Sequence, residues 1–246
     1  MAFPPYVHSV IRSSDSAAWP VEGQGFNECG CTAASNALNL LAQAPRFHKD
    51  DFVREAGLFF QPKYGGTPSP ITTWLIQRHG YGTHFGNLKK TDYDAVLRDL
   101  LDRGVPVVIE LGVVTVGSVP VSGQHSVVLV GYSDPFRDRG GQLREEYYFV
   151  DAQWPDLGKF DIRSNDGDID GDGVAEIFPG NRTIARQDLA ALYPMRTYFP
   201  VFRSQAEHDV WYQRYMRVER RVPLLSSLFG QLVVGATDIW LGLPAH

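Results

Sequence analysis

Cysteine is scarce: the chain holds 2 in 246 residues, at positions 29 and 31. That is too few for a disulfide framework, and the spacing is poor for a structural bridge. Basic excess is missing as well, with Lys and Arg together numbering 23 against 28 Asp and Glu, a net charge of −5. Bulk electrostatics therefore give no reason to expect a nucleic-acid partner. The opening residues, MAFPPYVHSVIRSSD, lack a basic-then-apolar signal pattern, so cytoplasmic residence is the default expectation. Repeats and low-complexity tracts are also lacking. A long hydrophobic run occurs at residues 222–243, VPLLSSLFGQLVVGATDIWLGL, behind a basic cluster at Arg217, Arg220 and Arg221. A tail anchor would look somewhat like this, but Gln231, Asp238 and the glycines argue instead for a helix covering an apolar face.

What is present is an ordinary globular balance, 43% hydrophobic and 21% charged, able to bury a sizeable core. Helical spacing is expected from residue 30 to 43, where Ala33, Ala34, Ala37, Leu38 and Leu41 form one stripe. Further helices are predicted near 48–57 (ended by Gly57), after GGTPSP, and over TDYDAVLRDLLDRG with Thr91 as N-cap and Gly104 as stop. The period then becomes strand-like in PVVIELGVV, HSVVLVGY and YYFVD. A helix over TIARQDLAALY and a strand over TYFPVF follow, giving an α+β chain with one main domain over 1–203 and a helical, apolar tail over 204–246.

Two distant words carry the ingredients of thiol chemistry. In GQGFNECGCTAASNALNLL, residues 23–41, two cysteines stand at the mouth of a helix, where the dipole and unpaired N–H groups favour a thiolate. Gln24 lies upstream as a candidate oxyanion donor. In GQHSVVLVGY and YYFVD, His125 opens one strand and Asp151 closes another. Antiparallel pairing through the polar 133–146 connection makes them neighbours, with Trp154 as a candidate shield. Cys29 is preferred as nucleophile for the Gly30 after it and for Asn27 as a helix cap; Cys31 is the alternative. The remaining histidines, including His84 and His208, have no assigned role.

These words, in this order, resemble the papain-like cysteine peptidases, and within them the stand-alone relatives of the peptidases that process double-glycine leaders. The matching residues are Gln24, Cys29-Gly30-Cys31-Thr32-Ala33, Gly104-Val105-Pro106-Val107-Val108, His125 to Tyr132, and Asp151. The resemblance implies a papain-like fold, with a helical half carrying the cysteine and a β half carrying His125 and Asp151. It also implies a Cys-His-Asp hydrolase of a peptide or protein substrate that needs no cofactor for catalysis. Three departures stand out. Ala152 and Cys31 each occupy a place where proline is usual, and the Gln24–Cys29 spacing is one residue short. An inactive peptide-binding module and an acyl-transferring, transglutaminase-like enzyme are therefore carried as alternatives.

A second local signal is DGDIDGDGVAE, residues 166–176. Asp168, Asp170 and Asp172 alternate, Gly173 permits a sharp turn, Val174 offers its carbonyl and Glu176 completes the set. Converging oxygens of this kind suit a structural Ca²⁺.

Overall fold

The computed structural model describes residues 3–11, 22–25, 27–61, 66–112, 114–116, 119–122, 125–152, 166–168, 171, 173 and 176–215. Trp154, the apolar run at 222–243 and most of the acidic loop fall outside them.

The chain starts with a short strand, β1 (Val7–Ser9), and then three helices, α1 (Cys29–Ala42), α2 (Lys49–Ala56) and α3 (Ser69–Arg78). Small residues let α1 sink into the interior: Cys31, Ala33, Ala34, Ala37 and Leu38 are fully or almost fully buried. It ends at Gln43, whose left-handed conformation turns its N–H back onto the Asn39 and Leu40 carbonyls. The cap at its start differs from expectation. Asn27 adopts φ 56 and does not cap; Glu28 occupies the N-cap with no side-chain cap bond, so Cys29 is the first helical residue. Thr91 is likewise not the cap of the next helix, since Asp92 takes that place and the Thr91 hydroxyl donates to its carboxylate at 3.0 Å.

The strand β2 (Gly86–Asn87) and helix α4 (Tyr93–Asp102) lead into β3 (Val107–Leu111), which stops where Gly112 takes φ 70. PVVIELGVV is thus split, its last part joining a separate hairpin of β4 (Val114–Val116) and β5 (Val119–Ser122). Next come β6 (His125–Ser133), a small hairpin of β7 (Phe136–Arg137) and β8 (Leu143–Arg144), and β9 (Glu146–Val150). A further hairpin, β10 (Asp166–Gly167) with β11 (Glu176–Ile177), brackets the acidic loop. TIARQDLAALY is not one helix. Its β-branched start pairs with β9 as β12 (Arg182–Ala185), and only α5 (Arg186–Leu192) is helical. The last elements are β13 (Thr197–Pro200) and α6 (Gln205–Tyr215).

The main sheet is seven-stranded and antiparallel, ordered β12-β9-β6-β3-β13-β2, with β1 also pairing with β6. Alternation along the central strands feeds two cores. Val108, Val128 and Val130 meet Ala34, Leu38, Phe52 and Leu75 of α1–α3 on one face. Val107, Ile109, Val127 and Leu129 meet Leu97, Leu100, Leu189 and Trp211 of α4–α6 on the other. The arrangement is an α+β fold of the papain type. Helix α6 belongs to this body: Trp211 is buried and donates to Asp99 at 3.0 Å. Beside it, His208 Nε2 lies 2.8 Å from His84 Nδ1, whose Nε2 lies 3.0 Å from the Tyr198 hydroxyl. Among the described residues no helix is long and apolar enough to cross a membrane.

Candidate active site

The loop before α1 is fixed by polar contacts that the sequence words did not reveal. Asn36, buried one face inward on α1, accepts from the Glu22 N–H at 2.7 Å and donates to its carbonyl at 3.0 Å. Lys49 binds the Glu28 carboxylate at 2.7 Å, and that carboxylate accepts from the Gly25 N–H at 2.6 Å. Gly66 packs so closely on this loop that a Cβ there would stand 2.2 Å from the Asn27 carbonyl oxygen. Cys29 is thereby presented half-buried at the helix mouth, its own N–H among those with no partner inside the helix.

Across from it, His125 starts β6 and Asp151 follows β9 directly. The imidazole Nε2 lies 2.8 Å from Asp151 Oδ1, and the two side chains are almost wholly buried. Nδ1 is left for the sulfur, and the Cys29 thiol is hydrogen-bonded to this ring. Asn181 clamps the Asp151 main chain, accepting from its N–H and donating to its carbonyl, both at 2.8 Å. No sequence motif flagged Asn181; its signal is only the polar side chain placed just before β12. Gln24 arrives at the same place, its N–H donating to the Ala152 carbonyl at 3.3 Å.

The electrostatics separate the two cysteines. Burial opposes the Cys29 thiolate most strongly, yet the hydrogen bond and charge of His125, with the main chain and hydroxyl of Ser126, outweigh it and hold the thiol below its ordinary value. Burial likewise opposes a charged His125, but the Asp151 hydrogen bond and the Cys29 sulfur raise it to about 9. Cys31 is fully buried, 3.2 Å from the Thr67 hydroxyl, and burial pushes its thiol up to about 11. The imidazole beside it biases one sulfur toward the thiolate; the other is packing.

Of the acidic loop, the structure describes Asp168, whose Oδ2 accepts from the Gly173 N–H at 3.3 Å, with Gly171 and Gly173 both at positive φ. Asp170, Asp172, Val174 and the Glu176 side chain lie outside the described residues. Among the described residues no three His, Cys, Asp or Glu side chains converge as metal ligands.

A model of the Peptidase_C39 like family matches residues 7–157, a span that contains Cys29, His125 and Asp151. No curated protein matches the chain. A solved structure, the digestive procathepsin L2 proteinase from Tenebrio molitor larval midgut, is similar over 81% of this chain and 69% of its own. Its identity is 11% and its TM-score 0.43.

Proposed function

The chain belongs to the Peptidase_C39 like family, and we propose on that premise that it hydrolyses peptide bonds with Cys29 as nucleophile. The observation that carries this reading is the contact of the Cys29 thiol with an imidazole tied to Asp151. Cys29 Sγ attacks the scissile carbonyl carbon and the π electrons move to oxygen. The oxyanion is met by the Cys29 N–H and the Gln24 side-chain amide, each worth roughly 3 kcal/mol in such sites. His125 passes its Nδ1 proton to the amide nitrogen as the C–N bond breaks, leaving a thioester and a free amine. Water then adds to the thioester while His125 takes its proton. The C–S bond breaks, and the acyl product leaves as a carboxylic acid. Asp151 keeps the imidazole in the tautomer that presents Nδ1 to the sulfur. Nothing in these steps calls on a metal or organic cofactor.

Hydrolysis of a mixed peptide pool, followed by mass spectrometry, tests the reading. The parent and Cys31→Ala should cleave it and Cys29→Ala should not. Cleavage surviving in Cys29→Ala refutes the assignment. Adding a primary amine checks the rival chemistry: amide products in place of acids would identify an acyl transferase. A protein whose Cys29 reacts with electrophiles no faster than a free thiol would be a binding module.

A further inference from the structure

We propose that Asn181 is a positioning residue of the reaction, holding the main chain of Asp151 so that its carboxylate meets His125; the inference rests on Cys29 being the nucleophile. Strand pairing stops short of Asp151 toward both neighbouring strands. The last residue of β9 in register with β6 is Val150, opposite Val128, and the last in register with β12 is Phe149, opposite Arg182. Asp151 is nevertheless only 7% exposed, and main-chain groups so placed need partners. The Asn181 amide supplies one for each: Oδ1 accepts from the Asp151 N–H and Nδ2 donates to the Asp151 carbonyl, both at 2.8 Å. A side chain thus carries the ladder on to the residue whose carboxylate the mechanism uses.

Asn181 is in turn fixed through its own main chain. Its N–H donates to the Phe149 carbonyl at 3.1 Å. Gly180, at φ 79, lies so near that a Cβ there would stand 2.4 Å from the same oxygen, so the turn before β12 fits against β9 only with glycine. One residue beyond Asp151, the Ala152 carbonyl accepts from the Gln24 N–H. Residues 151–152 are therefore gripped both by the turn before β12 and by the loop that leads to Cys29. Asp151 Oδ1 lies 2.8 Å from His125 Nε2, and the length and angle of that bond follow from where the Asp151 main chain is held. Asn181 is itself exposed, so its truncation opens no void in either core. A purely architectural role, closing the end of β9, is the competing account.

The test follows Asn181→Ala and Asn181→Leu in the full chain. Both remove the partners of the Asp151 main chain, and Leu keeps the bulk. Burial opposes a charged His125, and Asp151 with Cys29 outweighs it, so misplacing Asp151 weakens the imidazolium and, through it, the thiolate. Alkylation of Cys29 by iodoacetamide, followed across pH, should therefore shift its midpoint upward in both variants, towards the ordinary thiol value of 9.0. For a peptide that the parent cleaves, the alkaline midpoint near 9 should move down, with kcat lower by about 10²-fold and KM within about threefold. On an Asp151→Asn background, Asn181→Ala should move neither midpoint further, since it acts through the group already removed. Melting temperatures accompany the rates. A folded variant of either kind with the parent's midpoints and kcat overturns the role, however far its melting temperature falls, and leaves the peptidase reading standing. A further shift of the midpoints on the Asp151→Asn background also overturns it. A parent whose Cys29 titrates at 9.0, like a free thiol, overturns the peptidase reading itself, and this inference with it.

Discussion

Two cysteines with a single residue between them end up in opposite chemical conditions, because a helix turns each successive side chain by about 100° and so sets these two about 200° apart. Cys29 looks out at His125, whereas Cys31 points into the apolar layer beside Thr67. The words around them placed both at a helix mouth and preferred Cys29, for the Gly30 after it and for a cap at Asn27 that the helix does not use. His125 and Asp151 were legible as a pair because strand ends are easy to locate; Asn181, acting through the main chain of Asp151, left no such mark. The pair's behaviour with pH follows from the shifts. His125 is raised from 6.5 to about 9, so its charged form adds stability that is complete below 6.5 and lost as pH rises through about 9. Peptide hydrolysis, which needs that proton, should decline with a midpoint near the same value. Asp151→Asn removes the group whose hydrogen bond raises it. The alkaline midpoint should then move down, and kcat/KM should fall by roughly 10²–10⁴. A pH–rate profile of variant against parent reads both; an unmoved midpoint would mean that Asp151 does not tune the ring.

Among the elements, strong periodicity was read correctly and local competition was not. The α1 stripe and the β-branched runs of β3 and β6 emerged where expected. TIARQDLAALY misled because Thr183 and Ile184 have a partner in β9 that a sequence window cannot display, and long-range pairing overrode the helical pattern. Asn27 misled for a related reason. The close approach of Gly66 engages its main chain and holds it left-handed, so the residue that should cap α1 instead bends the loop toward the cleft. Gly66 is itself at φ 82 with no room for a Cβ. Gly66→Ala should therefore cost about 1–3 kcal/mol and lower the melting temperature. It should also slow Cys29 labelling, since the loop it supports ends at the nucleophile. Thermal melts and alkylation rates check this, and a variant matching the parent in both would show that the contact yields freely.

For the molecule as a whole, sequence order concealed the layering. The alternation in β3, and in β6 as far as the register shift after Leu129, gives the sheet two apolar faces, and both are covered: α1–α3 on one, α4–α6 on the other. This puts the Cys helix and the His strand in adjacent layers, with the reactive groups where α1 begins and β6 starts. The acidic hairpin between β10 and β11 lies within the chain segment that joins Asp151 to β12, and its Gly171 packs against Arg139 between β7 and β8, so a cation there would brace that end of the sheet. We propose Ca²⁺ for it on the strength of its alternating Asp residues and the turn closed by Asp168 and Gly173. Chelator-stripped protein should melt several degrees higher in millimolar Ca²⁺ but not in equal ionic strength of NaCl; no difference would dismiss the ion.

The most direct measurement is the rate of alkylation at each thiol as a function of pH, read by peptide mapping of the intact chain. Fast modification should be confined to Cys29, with a rate that levels off at a lower pH than the ordinary thiol value of 9.0 would set. Cys31 should remain unmodified. A Cys29 rate that climbs only as pH passes about 9, or a label that falls on Cys31, would contradict it.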